Sequence, residues 1–277
     1  MSVAAVAGGT GNIGRTIVET LVESSNYKVQ TVLDNVPYYA VDYTNVDATA
    51  KLLSQHEVKV VISIIQVTDE TSSTAEVSLI KAAGQTSAVT RFIASSWGSL
   101  PGGTSPTSIY RKASEAALRS TTLQRTRFSV GFFMDYYGIP AIKTHLPPMS
   151  FAVDMTSKKA AIPGTGNEPI ALTYSYDVAK FVSAHLGAPK WEEITYVYGE
   201  KTTWNAFIKV AEEVTGTQFE VSYDPIEKLA RGELLALLGS WVVGGQFDIS
   251  VEKALNMTFP DIKPMGVREM LLIRQNA

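Results

Sequence analysis

The first two-thirds of the chain alternate short apolar runs with stretches in which apolar residues recur every three or four positions. Val3–Ala7 is a run of small apolar residues. A glycine-rich turn follows it, then a stretch with Ile13, Ile17, Val18, Leu21 and Val22 on one helical face. Val29–Leu33 and Tyr38–Val41 read as the second and third strands. Thr44 and Asp47 fit a capping box that opens a helix to about Gln55. Val58–Ile65 reads as a central parallel strand, buried on both faces. A helix from about Glu70 stops at Gly84, placed as a C′ glycine. Arg91–Ala94 is then a strand, Tyr110–Ser120 a helix, and Phe128–Phe133 and Ile194–Tyr198 two further strands. Such alternation predicts βαβ units, hence an α/β fold built on a Rossmann-type doubly wound parallel sheet.

The pattern changes after that. Pro147, Pro148, Pro163, Gly164, Gly166 and Pro169 punctuate loops and short strands, and Thr202 or Thr203 is placed to cap a helix over Trp204–Thr215 that Gly216 closes. The expected organisation is a dinucleotide-binding domain over 1–132 and 168–199, with a small C-terminal substrate-binding cap over 133–167 and 200–277. In open α/β sheets ligands sit at the carboxyl ends of the strands, where such a cap would close.

Composition narrows the chemistry. The 277 residues contain no cysteine, which excludes thiol catalysis, disulfides, zinc–thiolate sites and iron–sulfur clusters. The three histidines, His56, His145 and His185, are scattered, so no metal site is expected. A net charge of −3 without a basic stripe argues against nucleic acid. No apolar run is long enough to span a bilayer, and Met1 leads straight into a strand. The expectation is a cytoplasmic protein, monomeric or homodimeric, with no membrane partner. Its chemistry must rest on Ser, Tyr, Lys, acids or a bound cofactor.

The turn after the first strand supplies that cofactor site. Gly8-Gly9-Thr10-Gly11-Asn12-Ile13-Gly14 satisfies both GxxGxxG and GxGxxG. One glycine serves the tight turn, one the close approach of a pyrophosphate, and one the helix–strand contact, while the following helix aims free N–H groups at the phosphates. Gly8, Thr10, Gly11, Asn12, Ile13 and Gly14 are therefore the candidate phosphate contacts. Asp34 lies 20 residues past Gly14, where a carboxylate binds both ribose hydroxyls of NAD and repels a 2′-phosphate. Its plainer reading is a turn aspartate before Asn35. Asp42 is placed to contact the adenine edge, or is a loop acid before the next helix.

Several segments together carry a family resemblance: GGTGNIG, Arg91–Gly98 (RFIASSWG), Tyr110-Arg111-Lys112, Gly131–Gly138 (GFFMDYYG), Ile162–Asn167 (IPGTGN) and Tyr176–Phe181 (YDVAKF). In order and spacing the chain resembles the NmrA-like and isoflavone-reductase-like branch of the atypical short-chain dehydrogenase/reductases, especially its fungal members. The resemblance implies a Rossmann domain with a smaller substrate domain, NADP(H) or NAD(H) as cofactor, and an aromatic or phenolic natural product as substrate. It also implies that Lys112, within one helical turn, is the lysine that contacts the nicotinamide ribose and assists proton transfer. The sequence departs from the family pattern at Asp34, where an arginine is usual, in a shortened loop after the second strand, and in Ala94–Gly98, which lacks the usual acid. NAD(H) is thus favoured by Asp34 and NADP(H) by the resemblance.

The remaining candidates follow from position. Tyr110 lies two residues before Lys112, so the usual YxxxK couple is absent there, and two residues apart they project from different helix faces. Tyr176 and Lys180 do form YxxxK, on a helix read as structural. Ser95 and Ser96 follow the fifth strand, where a hydroxyl binds cofactor or substrate oxygen, or simply caps a turn. Trp97, Phe132, Phe133, Tyr136 and Tyr137 are candidates to line an apolar pocket for a flat ligand, with ordinary core packing as the alternative. Only one of Phe132 and Phe133 faces the ligand if strand side chains alternate. Asp177 reads as the cap of its own helix. The expected function is an NAD(P)H-dependent reductase of an aromatic or polyketide/alkaloid-like enone, imine or ketone in secondary metabolism, with Lys112, Tyr110 and Ser96 as catalytic candidates. A non-redox isomerase or cyclase, and a non-catalytic dinucleotide sensor, remain open.

Overall fold

A computed structural model describes residues 2–24, 27–30, 36–99, 106–224 and 234–277, with the backbone alone for 27–30, 106 and 107. Asp34 lies outside the described residues. The chain divides into two compact units, one of Met1–Trp97, Pro101–Phe128 and Ala179–Thr195, the other of Gly98–Leu100, Ser129–Val178 and Tyr196–Ala277.

The first unit is the α/β unit anticipated from the apolar pattern. Its strands are β1 (Ser2–Ala7), β2 (Tyr27–Gln30), β3 (Val58–Ser63), β4 (Arg91–Gly98), β5 (Gln124–Ser129) and β10 (Ile194–Tyr196), in the order β10-β5-β4-β3-β1-β2. β1 pairs in parallel with β2 on one side and β3 on the other, and β3 in parallel with β4. The order therefore reverses at β1, so the turn leaving β1 sits at the switch point where such sheets bind ligands. Helix α1 (Asn12–Glu23) buries Ile13, Ile17, Val18 and Leu21 of the face read from the spacing, while Val22, read with them, is 42% exposed. Helix α3 (Glu70–Gln85) packs Leu79, Ile80, Ala82 and Ala83 into a core with Leu53, Val58, Val61 and Phe92. Each fully buried Leu, Ile or Phe of this kind contributes about 1.5–3 kcal/mol. Helices α2 (Val46–Gln55) and α4 (Pro106–Arg119) complete the elements of this unit that matter below.

The second unit is built on two three-stranded sheets. One has the order β11 (Glu200–Thr202), β9 (Ile170–Thr173), β6 (Phe132–Phe133), and the other β12 (Glu220–Asp224), β8 (Lys159–Pro163), β7 (Val153–Asp154). Its core is aromatic: Phe132, Tyr137, Phe151, Trp204, Phe207 and Phe247 are all buried together. Helix α7 (Trp204–Thr215) starts at an N-cap Thr203 that accepts from Ala206 N–H, and ends at Gly216 in the left-handed conformation, as its sequence predicts. Helix α6 (Ser175–Leu186) begins in this unit.

Five local expectations are corrected. Tyr38–Val41 forms no strand: Tyr38 is 61% exposed, Pro37 has no N–H to give a ladder, and strand propensity without a packing partner decides little. The N-cap of α2 is Asn45, accepting from Ala48 N–H at 3.0 Å, rather than Thr44. Gly84 does not stop α3, which runs on to Gln85; a Cβ there would stand 2.9 Å from Thr121 Cγ2, so the glycine serves close packing. Phe128–Phe133 is two strands in two sheets, broken at Gly131, whose φ of +72° and whose approach to Ala171 O both require glycine. Finally, Asp177 accepts from Met265 N–H at 2.7 Å, while the start of α6 is held by Asp135, which takes both the N–H and the hydroxyl of Ser175.

Candidate functional site

The glycine turn explains itself residue by residue. Gly8 has φ +80°, and a Cβ on it would press on Ile64 O at 3.1 Å. Gly14 packs so closely on the turn that a Cβ would lie 2.2 Å from Gly8 O. Both glycines are thus required by the protein itself. Gly11 is different. It has ordinary extended backbone, φ −85° and ψ 176°, and an added Cβ would meet only Gly8 O, at a normal 3.5 Å. Among the described residues no close contact requires glycine at Gly11; it serves as an N-cap, where glycine is preferred to alanine, and its open face leaves room for a group approaching from outside.

Gly11 is also the N-cap of α1, and it caps nothing with a side chain. No acid stands in the first turn of that helix. The leading N–H groups over Asn12–Gly14 therefore present the positive end of a three-turn helix without a side-chain acceptor, the arrangement that receives a phosphate. Thr10 and Asn12 are exposed beside it and Ile13 is buried under it. A cavity of about 340 Å³ adjoins the turn, lined by Gly8, Gly9 and Thr10, by Tyr38, Tyr39, Tyr43 and His56, and by apolar residues including Ala5, Ala7 and Val61. The rings of Tyr39 and His56 stand 4.5 Å apart. Aromatic faces around an apolar floor suit a flat heterocycle. Sequence reasoning missed Tyr38 and Tyr39 because it spent Tyr38–Val41 on a strand, and it gave Tyr43 and His56 no binding role; the cluster of tyrosines in a polar stretch was the available signal. Asp42 is exposed, and its Oδ1 accepts from the hydroxyl and the N–H of Thr44 at 2.7 and 2.9 Å, which holds its carboxyl below the usual range.

At the far end of β4 the side chains point inward. Ser95 and Ser96 are both buried, and Ser96 Oγ has no hydrogen-bond partner among the described residues. Ser95 N–H donates to Glu76 Oε1 at 2.7 Å. Trp97 is fixed from both sides: its Nε1 donates to Ser63 O at 2.9 Å and its ring stacks on Phe128 at 5.4 Å. On α4 the inward positions are Ser108, Arg111, Ser114 and Leu118, a stripe spaced three to four residues apart. Lys112 falls off that stripe and is exposed, while Tyr110 is half-buried. The inward cation is Arg111, whose charged form burial disfavours and Glu76 supports. An arginine does not give up its proton, so it holds charge and does not relay it.

In the second unit, Phe132 and Tyr137 belong to the aromatic core, and Tyr137 donates to Phe151 O at 2.8 Å. Phe133 and Tyr136 are half-buried and keep part of their faces. Burial, helped by Asp135, pushes the Tyr136 hydroxyl up to about 12, so it remains protonated. Asp135 itself is buried and accepts from Thr144, Ser175 N–H and Ser175 Oγ, a structural knot. Tyr176 is buried with its hydroxyl 3.3 Å from His145 Nε2, and Lys180 is exposed. Among the described residues no group of acids and histidines could hold a metal ion, and no helix is long and apolar enough to cross a membrane.

No family model matches the chain. It is 29% identical to "Oxidoreductase BOA1" of Botryotinia fuckeliana over 288 residues, covering 94% of this chain and 95% of that one. Its backbone superposes on leucoanthocyanidin reductase of Vitis vinifera, solved with NADPH, with a TM-score of 0.80 at 15% identity over the full length of both chains. It also superposes on AtPrR2 solved with NADP+ and (+)pinoresinol, with a TM-score of 0.76 at 21% identity over 99% of this chain and 98% of that one. The chain shares the fold of these reductases.

Proposed function

We propose that the protein is an NAD(P)H-dependent reductase of an aromatic or polyketide/alkaloid-like small molecule carrying an enone, imine or ketone, in secondary metabolism. The observation that carries this reading is Gly11: a glycine that neither a positive φ nor a close contact among the described residues requires, set at a start of α1 that no side chain caps. A dinucleotide pyrophosphate needs both features. The Tyr38–Tyr39–Tyr43–His56 cavity would take its adenine. When bound, the cofactor supplies a hydride, and a proton completes the reduction. Within the second unit, Phe133 and Tyr136 are half-buried aromatic side chains that suit a flat substrate, Tyr136 as a hydrogen-bond donor. Ser95 and Ser96 would serve the nicotinamide end and Asp34 and Asp42 the adenosine end. Asp34 speaks for NAD(H), while the two plant reductase-like neighbours carry NADPH or NADP+. The test is a titration with NADH and with NADPH, followed by cofactor consumption across a panel of aromatic enones, imines and ketones. Binding of neither nucleotide ends this reading.

One observation favours a second reading. The inward cation of α4 is Arg111, which does not give up its proton, while Lys112 faces solvent. A protein that binds the dinucleotide and responds to it without turnover fits that arrangement. Tight binding with no cofactor consumption across the panel would select it.

A further inference from the structure

β4 outruns the strand on one of its sides. Arg91–Ile93 pair with Val60–Ile62, β3 ends at Ser63, and β4 continues to Gly98. Its other side is covered by β5, with Val130 N–H reaching Gly98 O at 3.1 Å. Two side-chain bonds hold the edge that β3 leaves open, the overhang. Trp97 Nε1 reaches Ser63 O, and Ser95 N–H reaches Glu76 Oε1 on α3. Glu76 is 1% exposed, and its other oxygen accepts the hydroxyl of Ser114, on α4, at 2.7 Å. One carboxylate thus ties α3, the β4 overhang and α4 together. Packing does not ask for it. The same stripe of α3 continues as Leu79, Ile80 and Ala83, and a buried carboxylate carries a desolvation cost that an apolar residue would not. Burial pushes the Glu76 carboxyl up, against the Ser114 and Ser95 bonds and the Arg111 charge that favour its ionised form.

What the overhang presents gives the carboxylate a purpose. In an open parallel sheet a dinucleotide crosses the carboxyl ends of the strands with its pyrophosphate at the switch point. The aromatic side chains of the cavity all come from residues 38–56, which follow β2, while its floor reaches Val58 and Val61 of β3; with the pyrophosphate at the turn after β1, the other half of the molecule falls toward the carboxyl ends of β3 and β4. There the overhang offers Ser95 and Ser96, the latter with a buried hydroxyl that no described residue satisfies. We propose that Glu76 is a positioning residue for the nicotinamide half of a bound dinucleotide: by holding Ser95 N–H and Ser114 O–H at once, it fixes the β4 overhang against which that half rests. This rests on the dinucleotide reading above and adds to it a residue that touches no cofactor.

The experiment compares the parent, Glu76→Leu and Glu76→Gln in titrations with ADP-ribose, which lacks the nicotinamide, and with NADH, or with the 2′-phosphorylated pair if the parent prefers it. Emission from the bound reduced nicotinamide is followed alongside. The leucine variant is expected to keep ADP-ribose affinity within about twofold, lose tenfold or more in NADH affinity, and lose the emission enhancement of the bound ring. Glutamine keeps an acceptor for Ser95 N–H and a donor for Ser114 Oγ, so it restores both. Equal losses for the two ligands, no loss, or a glutamine variant as impaired as leucine overturns the proposal. A parent that binds neither ligand overturns the dinucleotide reading and this proposal with it. If Glu76→Leu does not fold, Ser114→Ala, which removes the other end of the tie, gives the same comparison with the same outcomes.

Discussion

Gly11→Ala separates a site built for a ligand from a turn built for itself. In the free protein the change should be nearly silent. Gly11 has backbone that alanine adopts freely, and the new Cβ meets only Gly8 O at 3.5 Å. Alanine is a poorer N-cap than glycine, but it lowers the entropy of the unfolded chain by about 0.4–1 kcal/mol. The net effect should stay within about 0.5 kcal/mol, or about 1–2 °C in Tm for a chain of this size. With a dinucleotide the same methyl stands where a phosphate must approach the helix N-terminus. Losing one charge-assisted bond to the phosphate costs about 1.5–3 kcal/mol, which is about 10- to 150-fold in Kd. Two assays are run in parallel: thermal unfolding of the free protein, and calorimetric titration with NADH and NADPH. Gly8→Ala and Gly14→Ala serve as opposite controls, since the first strains a φ of +80° and the second drives a Cβ to 2.2 Å from Gly8 O. Both should destabilise the free protein. If Gly11→Ala binds the dinucleotide as tightly as the parent, or is as destabilised as Gly14→Ala, the reasoning from Gly11 to a ligand is wrong.

Three further outcomes are expected. Lys112→Ala should leave urea-unfolding stability within about 0.5 kcal/mol, because the side chain is exposed, whereas Arg111→Met should cost about 2–3 kcal/mol by removing the charge that faces buried Glu76. His185 is 4% exposed, and burial, with Arg91 adding to it, lowers its pKa from 6.5 to about 4. The unfolded chain therefore takes up a proton that the folded one resists, and stability falls as pH drops from about 6.5 to about 4, by about 2–3 kcal/mol in all. Subtracting the stability–pH curve of His185→Leu from that of the parent should leave that step; a flat difference refutes it. Tyr137→Phe removes one of two donors to the Phe151 carbonyl, which keeps Val153 N–H at 2.7 Å, and should cost about 0.5–1.5 kcal/mol, read from the urea midpoint, without altering dinucleotide affinity.

What could be read from the chain, and what could not, follows from the range over which each signal acts. The glycine turn was legible because its demands are local: a positive φ, a helix N-terminus and a close contact all lie within seven residues. The α1 face and the caps at Thr203 and Gly216 were legible for the same reason. Tyr38–Val41 misled because strand propensity is a packing property, and the tyrosines instead line a cavity. Lys112 shows how far a resemblance reaches: it fixes a position only to within a helical turn, while one residue changes the face by about 100°. The register was nonetheless written in the sequence: Ser108, Arg111, Ser114 and Leu118 form the inward stripe and Lys112 does not. Read beside Ser73 and Glu76, which occupy the corresponding stripe of α3, that pattern places polar residues on two facing helices where apolar ones are the default. A single buried polar residue is weak evidence of anything. Two polar stripes meeting, joined by Ser114 to Glu76 and by the Ser73 hydroxyl to Tyr110 O, point to an α3–α4 contact that holds something in place rather than one that merely excludes water. Only the fold, by bringing those helices together beside the end of β4, turned an unassigned glutamate into a residue with a task.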